Sequence, residues 1–360
     1  MYVSFVVNEL FRIVSICDVV KLVRLIEGHA KKASLMSFFA LQLFPMESSE
    51  KPQKTYQPVI ATAFGILFVS TASIFIRFAQ VEASSIVIAA SRLLIASLVL
   101  LPIALTRALD QLRGLSRGEW VKAGLSGLFL ALHFASWITS LEFTSVASSV
   151  VLVTTTPLWV AILSPLILRE SIRKSVVIGL IISVAGGVIV GLGNACDLSQ
   201  GVLVCQERIF SSGAMVGNFL ALFGAWMAAG YMLMGRQLRK KLNTVNYSAL
   251  VYGVAAILLL IVVIIRAEPV FSFSGSTYLW LLALGVFPQL LGHSLFNWSL
   301  KYISAAYVSL TLLGEPIGTI LLALLFLQES PTPLEGVGAG LILAGIVVGS
   351  LGRIKRTNAA

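Results

Sequence analysis

The sequence predicts an all-α integral membrane protein, with ten transmembrane helices in two inverted five-helix repeats and both termini cytoplasmic. Three observations carry this expectation. Hydrophobic residues make up 58% of the 360, charged residues only 12%, and mean hydropathy is +0.94, whereas soluble domains carry about 25% charge. Ten apolar segments follow one another from Val59 onward, and the second five repeat the first five at an offset of 159 residues.

Residues 1–55 stand apart from the ten segments as an N-terminal extension. Tyr2 to Glu27 is apolar but interrupted by Glu9, Arg12, Asp18, Lys21 and Arg24, so it makes no clean span. Lys31-Lys32 and the apolar run Ser34–Phe44 have two parts of a signal peptide, but no small-residue cleavage site follows. The extension reads either as dispensable, with Met36 and Met46 as in-frame alternative starts, or as an interfacial amphipathic segment.

The first repeat (56–193) contains segments near 59–76, 85–105, 121–141, 148–168 and 176–193. An outer loop (194–212) follows. The second repeat (213–352) contains segments near 213–235, 247–265, 278–300, 305–327 and 336–352, and a cytoplasmic tail (353–360) ends the chain. A span needs ~20 apolar residues for a ~30 Å hydrocarbon core. In lipid it must satisfy its own backbone hydrogen bonds, so each segment is expected to be helical.

Charge sets the orientation. With Lys51 and Lys54 inside, alternation sends Arg107, Arg113, Arg117, Lys122, Arg169, Arg173, Lys174, Arg236, Arg239, Lys240, Lys241, Lys301, Arg353, Lys355 and Arg356 to the same side. Only Arg77, Arg208 and Arg266 fall opposite. This is the positive-inside pattern. It also accounts for the +10 net charge, since no basic run interleaved with aromatics marks a nucleic-acid surface.

The repeat rests on Ser140/Ser299, Leu141/Leu300, Ser145/Ser304, Ala147/Ala306, Pro157/Pro316, Leu168/Leu327, Glu170/Glu329, Ser171/Ser330, Gly179/Gly338, Gly186/Gly345 and Gly193/Gly352. Chance matches between apolar helices come through Leu and Ala, and much less readily through paired Pro, Glu-Ser and Gly. Five is odd, so the second copy enters the membrane inverted. The Glu170 loop is accordingly basic, while the Glu329 loop has no Lys or Arg. Inverted repeats are a common construction of secondary transporters, with the solute site near midplane between the halves.

The stretches SRLLIASLVLLP (91–102), SLEFTSVASSVVLVTTTPLWVAILSPLILRES (140–171), AGGVIVGLG (185–193) and LLGEPIGTILLALLFLQES (312–330) resemble the EamA-like branch of the drug/metabolite transporter superfamily. The resemblance covers about 58–352 and implies carrier-mediated movement of a small organic solute. Such solutes are often amino acids or related metabolites, exported across a bacterial inner membrane. It implies no single substrate.

Glu315-Pro316 matches that family's Glu-Pro pair in its ninth helix, whereas Thr156-Pro157 keeps the proline and lacks the acid. A mid-membrane carboxylate costs roughly 2.5–3.5 kcal/mol on insertion scales, and an interior proline about 3 kcal/mol. Glu315 therefore reads as a cavity-lining group for a substrate amine or a proton, against a structural acid bonded to another helix. Pro157 and Pro316 read as structural kinks shared by both halves. Arg92 is open to three roles: pairing with Glu315, holding a substrate carboxylate, or snorkelling to the interface. His133 with Trp137, and His293 with Asn297, share helix faces at i, i+4 and are read as cavity residues, against satisfied interhelical donors. Trp159, Gln289, Trp226 and Tyr231 are weaker candidates for the same cavity.

Gly187/Gly191, Gly336/Gly340 and Gly345/Gly349 have small-xxx-small spacing, which suits close helix packing within one chain or in a homodimer. Cys196 and Cys205 share the outer loop and are read as either a disulfide or two free thiols. Without a neighbouring histidine they make a poor metal site. No cofactor is expected, and no G-x-x-x-x-G-K-[ST] phosphate loop is present. An intramembrane enzyme would need a denser set of catalytic polar residues, and a channel would normally show pore rings built by subunit symmetry. A carrier, with the bilayer and a small solute as partners and proton coupling left open, is the expectation.

Overall fold

The computed structural model describes residues 57–357, apart from 108, 145, 200–201, 206–211, 323 and 325–332. The extension 1–55, Glu329 and Ser330, part of the outer loop and the last three residues therefore lie outside the described residues. Segment one is α1 (Gln57–Val69) and α2 (Ala72–Ala79), and segment two is α3 (Ser85–Arg107), followed by the short α4 (Leu109–Arg113). Segment three is α5 (Arg117–Phe143), segment four α6 (Val146–Val153) and α7 (Thr156–Ile167), and segment five α8 (Lys174–Ala195). In the second half come α9 (Ser212–Leu238), α10 (Thr244–Ile265), and α11 (Gly275–Leu284), which runs through a π-helical stretch (Gly285–His293) into α12 (Ser294–Tyr302). The last are α13 (Ala305–Leu312), α14 (Glu315–Leu322) and α15 (Pro333–Thr357).

Among the described residues, seven helical runs are long and apolar enough to cross a membrane: Gln57–Ala79, Ser85–Thr106, Arg117–Phe143, Gly213–Leu238, Thr244–Ile265, Gly275–Tyr302 and Ala305–Leu322. The shorter apolar helices Thr156–Ile167, Lys174–Val190 and Gly336–Gly349 fall in segments four, five and ten. The departure from helix is a two-stranded antiparallel hairpin in the outer loop, β1 (Cys196–Ser199) with β2 (Val202–Cys205), in which Cys196 lies opposite Cys205.

The polar breaks between apolar runs also start the helices. The Ser116 hydroxyl accepts from the Glu119 N–H, and Glu119 returns the bond to the Ser116 N–H in a capping box. Asn243, Ser274 and Ser304 cap α10, α11 and α13 in the simpler one-bond form. Glu82, between α2 and α3, accepts the Ser274 N–H at 2.7 Å and so joins the two halves at one end. That hydrogen bond holds its carboxyl below the usual carboxylate range.

Seven element bounds recur at the repeat offset. At the 159-residue offset, Ala79 ends α2 where Leu238 ends α9, and Ser85 starts α3 where Thr244 starts α10. Likewise Phe143 matches Tyr302, Val146 matches Ala305, Val153 matches Leu312, Thr156 matches Glu315, and Lys174 matches Pro333. Packing follows the same mapping. The α3 and α10 helices pack on one another, as do α8 and α15, while α5 on α9 is mirrored by α12 on α1.

The α8/α15 contact shows that the halves are inverted. A Cβ on Gly179 would collide with the Gly345 carbonyl, and one on Gly186 would lie 2.6 Å from the Gly338 carbonyl. Gly338 and Gly345 are the repeat counterparts of Gly179 and Gly186. The two contacts therefore exchange under the repeat and run antiparallel. Ser183 donates to the carbonyl of its own counterpart, Ile342, at 3.2 Å, so a pseudo-twofold axis passes through this crossing. Of the glycines expected at small-xxx-small spacing, Gly345 packs inside this crossing and Gly349 against Leu310. Gly187, Gly336 and Gly340 meet nothing within 4 Å.

Gly186→Ala is expected to destabilise the protein by about 1–3 kcal/mol, the range for overpacking, while Gly187→Ala leaves it unchanged. Melting of the purified variants in detergent checks this contrast, and equal melting temperatures would contradict the packing described.

Candidate functional site

Among the described residues, four of the ten segments are interrupted, and two interruptions are repeat equivalents. Segment four breaks at Thr154-Thr155 and segment nine at Leu313-Gly314, each just before the sequence X-Pro at the head of the next helix. Proline fits there because the first N–H groups of a helix lack an intrahelical acceptor anyway. Pro157 and Pro316 thus restart helices at matching places. The break in segment one, Ser70-Thr71, lies against the second of these. The Ser70 hydroxyl sits between the carbonyls of Ile66 (2.7 Å) and Glu315 (3.1 Å), and Thr319 donates to the Ser70 carbonyl at 3.2 Å.

These breaks meet at a cavity of about 80 Å³ lined from both halves. Of the expected residues, Arg92, His133, Trp137, Pro157, Tyr231, His293, Asn297 and Glu315 line it. Trp159, Trp226, Gln289 and Pro316 are not among the lining residues. Trp159 packs edge-on against Trp226 at 5.2 Å and donates to the Thr155 hydroxyl, which ties segment four to segment six.

Arg92 is fully buried on α3, so it does not snorkel. Its Nε donates to Gln289 Oε1 at 3.0 Å, and its guanidinium lies 3.9 Å from the centre of the Phe134 ring. No ion pair joins it to Glu315 among the described residues, although the two line the same cavity. Gln289 reaches Arg92 from the π-helical stretch, where Pro288 supplies no N–H and the widened turn re-aims the side chains. Its counterpart Leu130 lies in an uninterrupted α-helix.

His133 donates from Nδ1 to the Gly224 carbonyl at 2.9 Å, and its ring lies parallel to Trp137. His293 meets the Phe134 edge at 5.2 Å. Asn297 is the centre of a buried network. Tyr231 donates to its Oδ1 at 2.5 Å, and its Nδ2 donates to Ser248 and Tyr252, both at 3.1 Å. Both ends of this amide are therefore already engaged by protein.

Two basic residues counted as loop charges have other places. Arg239 is fully buried, donating to the carbonyls of Asn297 and Leu242 and to the Thr244 hydroxyl. Its position in the run RQLRKK conceals this. Arg236, half-buried, bonds Glu170 at 2.9 Å and the carbonyls of Leu300 and Lys301 at 2.6 and 3.0 Å. It ties segment six to the loop after segment four and to the end of segment eight. Its counterpart Arg77 lies at the opposite end of the molecule, exposed, in a cleft with Leu141 and Glu142. Those two are the counterparts of Leu300 and Lys301.

Two like helical halves around a cavity of mainly apolar wall, set with a few buried polar side chains, fit one class: a polytopic membrane transport protein. The chain belongs to the EamA-like transporter family, whose model matches residues 57–192 and 215–351. An uncharacterized transporter of Archaeoglobus fulgidus is 24% identical over 292 residues, covering 80% of this chain and 94% of that protein. The uncharacterized transporter YyaM of Bacillus subtilis is 24% identical over 237 residues, 64% of this chain and 72% of its own. A crystal structure of a protein 20% identical to this one superposes with a TM-score of 0.67, over 83% of this chain and 98% of that one. That likeness concerns the fold alone.

Tyr231→Phe leaves Asn297 Oδ1 without its donor inside the bundle. The expected loss is about 1–3 kcal/mol of stability, read as a lower melting temperature of the purified variant. An unchanged melting temperature would mean that the network does not hold these helices together.

Proposed function

We propose that this protein is a secondary transporter that moves a small organic solute, an amino acid or related metabolite, by alternating access through the central cavity. Net movement is export across the cell membrane. All ten segments cross the bilayer, and both termini are cytoplasmic. The observation that carries this reading is the cavity itself. It is buried, polar on one part of its wall, lined from both inverted halves, and bounded by matching helix breaks at Pro157 and Pro316. Glu315 at the second break is the group that takes a substrate amine or a proton.

The unequal ends of a nearly symmetric frame support alternating access. Arg236 latches one end through Glu170, Leu300 and Lys301, while Arg77 is exposed at the other. When the halves exchange shapes, the Arg236 latch opens and Arg77 takes the carbonyls of Leu141 and Glu142. Two similar halves of opposite orientation make the two states close in energy, so a small solute suffices to shift between them.

Reconstituted in proteoliposomes, the protein is expected to give saturable amino-acid uptake with counterflow. Linear flux without counterflow would replace the carrier with a channel. Glu315→Gln is expected to change substrate affinity or the pH dependence of transport, and an unchanged profile would remove Glu315 from the mechanism.

The latch has its own readout. Glu170→Gln removes a half-buried ion pair of about 1 kcal/mol, roughly a fivefold shift between states. A cysteine placed in the cavity by Ala228→Cys should then react faster with an impermeant maleimide from the Arg236 end. Equal labelling with and without Glu170 would dissociate the latch from access.

A further inference from the structure

Buried polar side chains are rarely left without partners, because each orphan carries its desolvation cost uncompensated. Among the described residues, orphaned donors belong to two residues that line the cavity, Nη1 and Nη2 of Arg92 and Nε1 of Trp137, and to Gln289 beside Arg92, through its Nε2. All four are donors, and one of the groups is a guanidinium. The orphaned hydroxyls of Ser97, Ser164 and Ser175 belong to residues outside the cavity lining.

The fork is also held in place. Gln289 fixes Arg92 through Nε, and Phe134 lies against the guanidinium face. The edge carrying Nη1 and Nη2 is left without a protein partner. Two parallel N–H groups on a planar cation match the two oxygens of a carboxylate.

From this geometry we propose that Arg92 anchors the carboxylate of an organic solute, with the Trp137 indole N–H as a second donor and Gln289 as the residue that positions the fork. This rests on the transport reading for its setting and extends it by naming the charge the solute must carry. The apolar part of the wall, which includes Val69, Met232, Phe296 and Leu312, takes the solute's body. The carboxylate also neutralises a buried cation that Glu315 does not contact directly.

The test compares L-amino acids with the corresponding amino-acid amides, which keep the ammonium group and side chain but lack the negative charge. Binding to purified wild-type protein is measured by thermal shift in detergent, with sodium chloride and sodium phosphate as inorganic controls. The acids are expected to raise the melting temperature and the amides to fail. Arg92→Lys keeps the charge and loses the fork, and should weaken the acids by roughly tenfold or more. Trp137→Phe, which removes the indole N–H alone, should weaken them several-fold and serves as the second variant where an Arg92 substitution does not fold.

Amides binding as well as acids, or an Arg92→Lys protein with unchanged preference for acids, would overturn the assignment. The same shift with phosphate or chloride would make the site one for inorganic anions and overturn it too. Acid binding through Arg92 without counterflow in proteoliposomes would sink the transport reading and leave this one standing. Counterflow whose rate ignores the carboxylate would sink this one alone.

Discussion

The structure depends on a contact between two helix backbones. Where α8 crosses α15, Gly179 and Gly186 lie against Gly345 and Gly338 too closely for any side chain. The hydrophobic effect gives helices little reason to associate in lipid, so close van der Waals packing and hydrogen bonds must do so. Here both act at one place, with Ser183 adding a hydrogen bond to Ile342 across the axis. Because each glycine meets its partner's repeat counterpart, this crossing can join the halves in only one sense, antiparallel. The broken segments four and nine then face the same central space from opposite directions.

On this symmetric frame the chemistry is asymmetric. Many helix starts and ends and the two Pro breaks recur at the same offset, yet the polar cavity residues do not. Glu315 answers to Thr156, Arg92 to Val251, His293 to Phe134 and Gln289 to Leu130. The π-helical stretch in segment eight has a plain α-helix as its counterpart in α5. The division follows from physics. Backbone breaks and close crossings must be shared if two halves are to exchange shapes, whereas a single solute needs only one set of polar contacts. Each extra buried charge would add a desolvation cost without a ligand to offset it.

Much of this was legible in the chain. Spanning length, the 159-residue repeat and Glu315-Pro316 are visible because each is a local pattern of residue types. Seven of the residues read as cavity candidates line one cavity, since polar groups in apolar helices have few other places to go. Other features were hidden for definite reasons. Arg239 stands in a basic run that looks like a solvated loop, and its burial comes from carbonyls at the end of segment eight. Arg236 carried no mark of its latch, although its pairing with Arg77 at the repeat offset was a signal that could have been followed. Asn297 looked like a ligand-facing amide, and its occupied Oδ1 and Nδ2 became visible only once segments six, seven and eight were packed together.

The sequence by itself determined that this protein lives in a membrane, that it is double, and that its halves are inverted. Hydrophobic length, charge placement and the spacing of proline and glycine are properties of the chain, and they hold before it folds. Only the tertiary structure decided how the polar residues divide their work. Arg92 and Gln289 are 197 residues apart, and neither reveals from its neighbours whether it will be a partner, a support or an open donor. That outcome depends on which groups the packed helices leave unpaired in a medium where water cannot reach them.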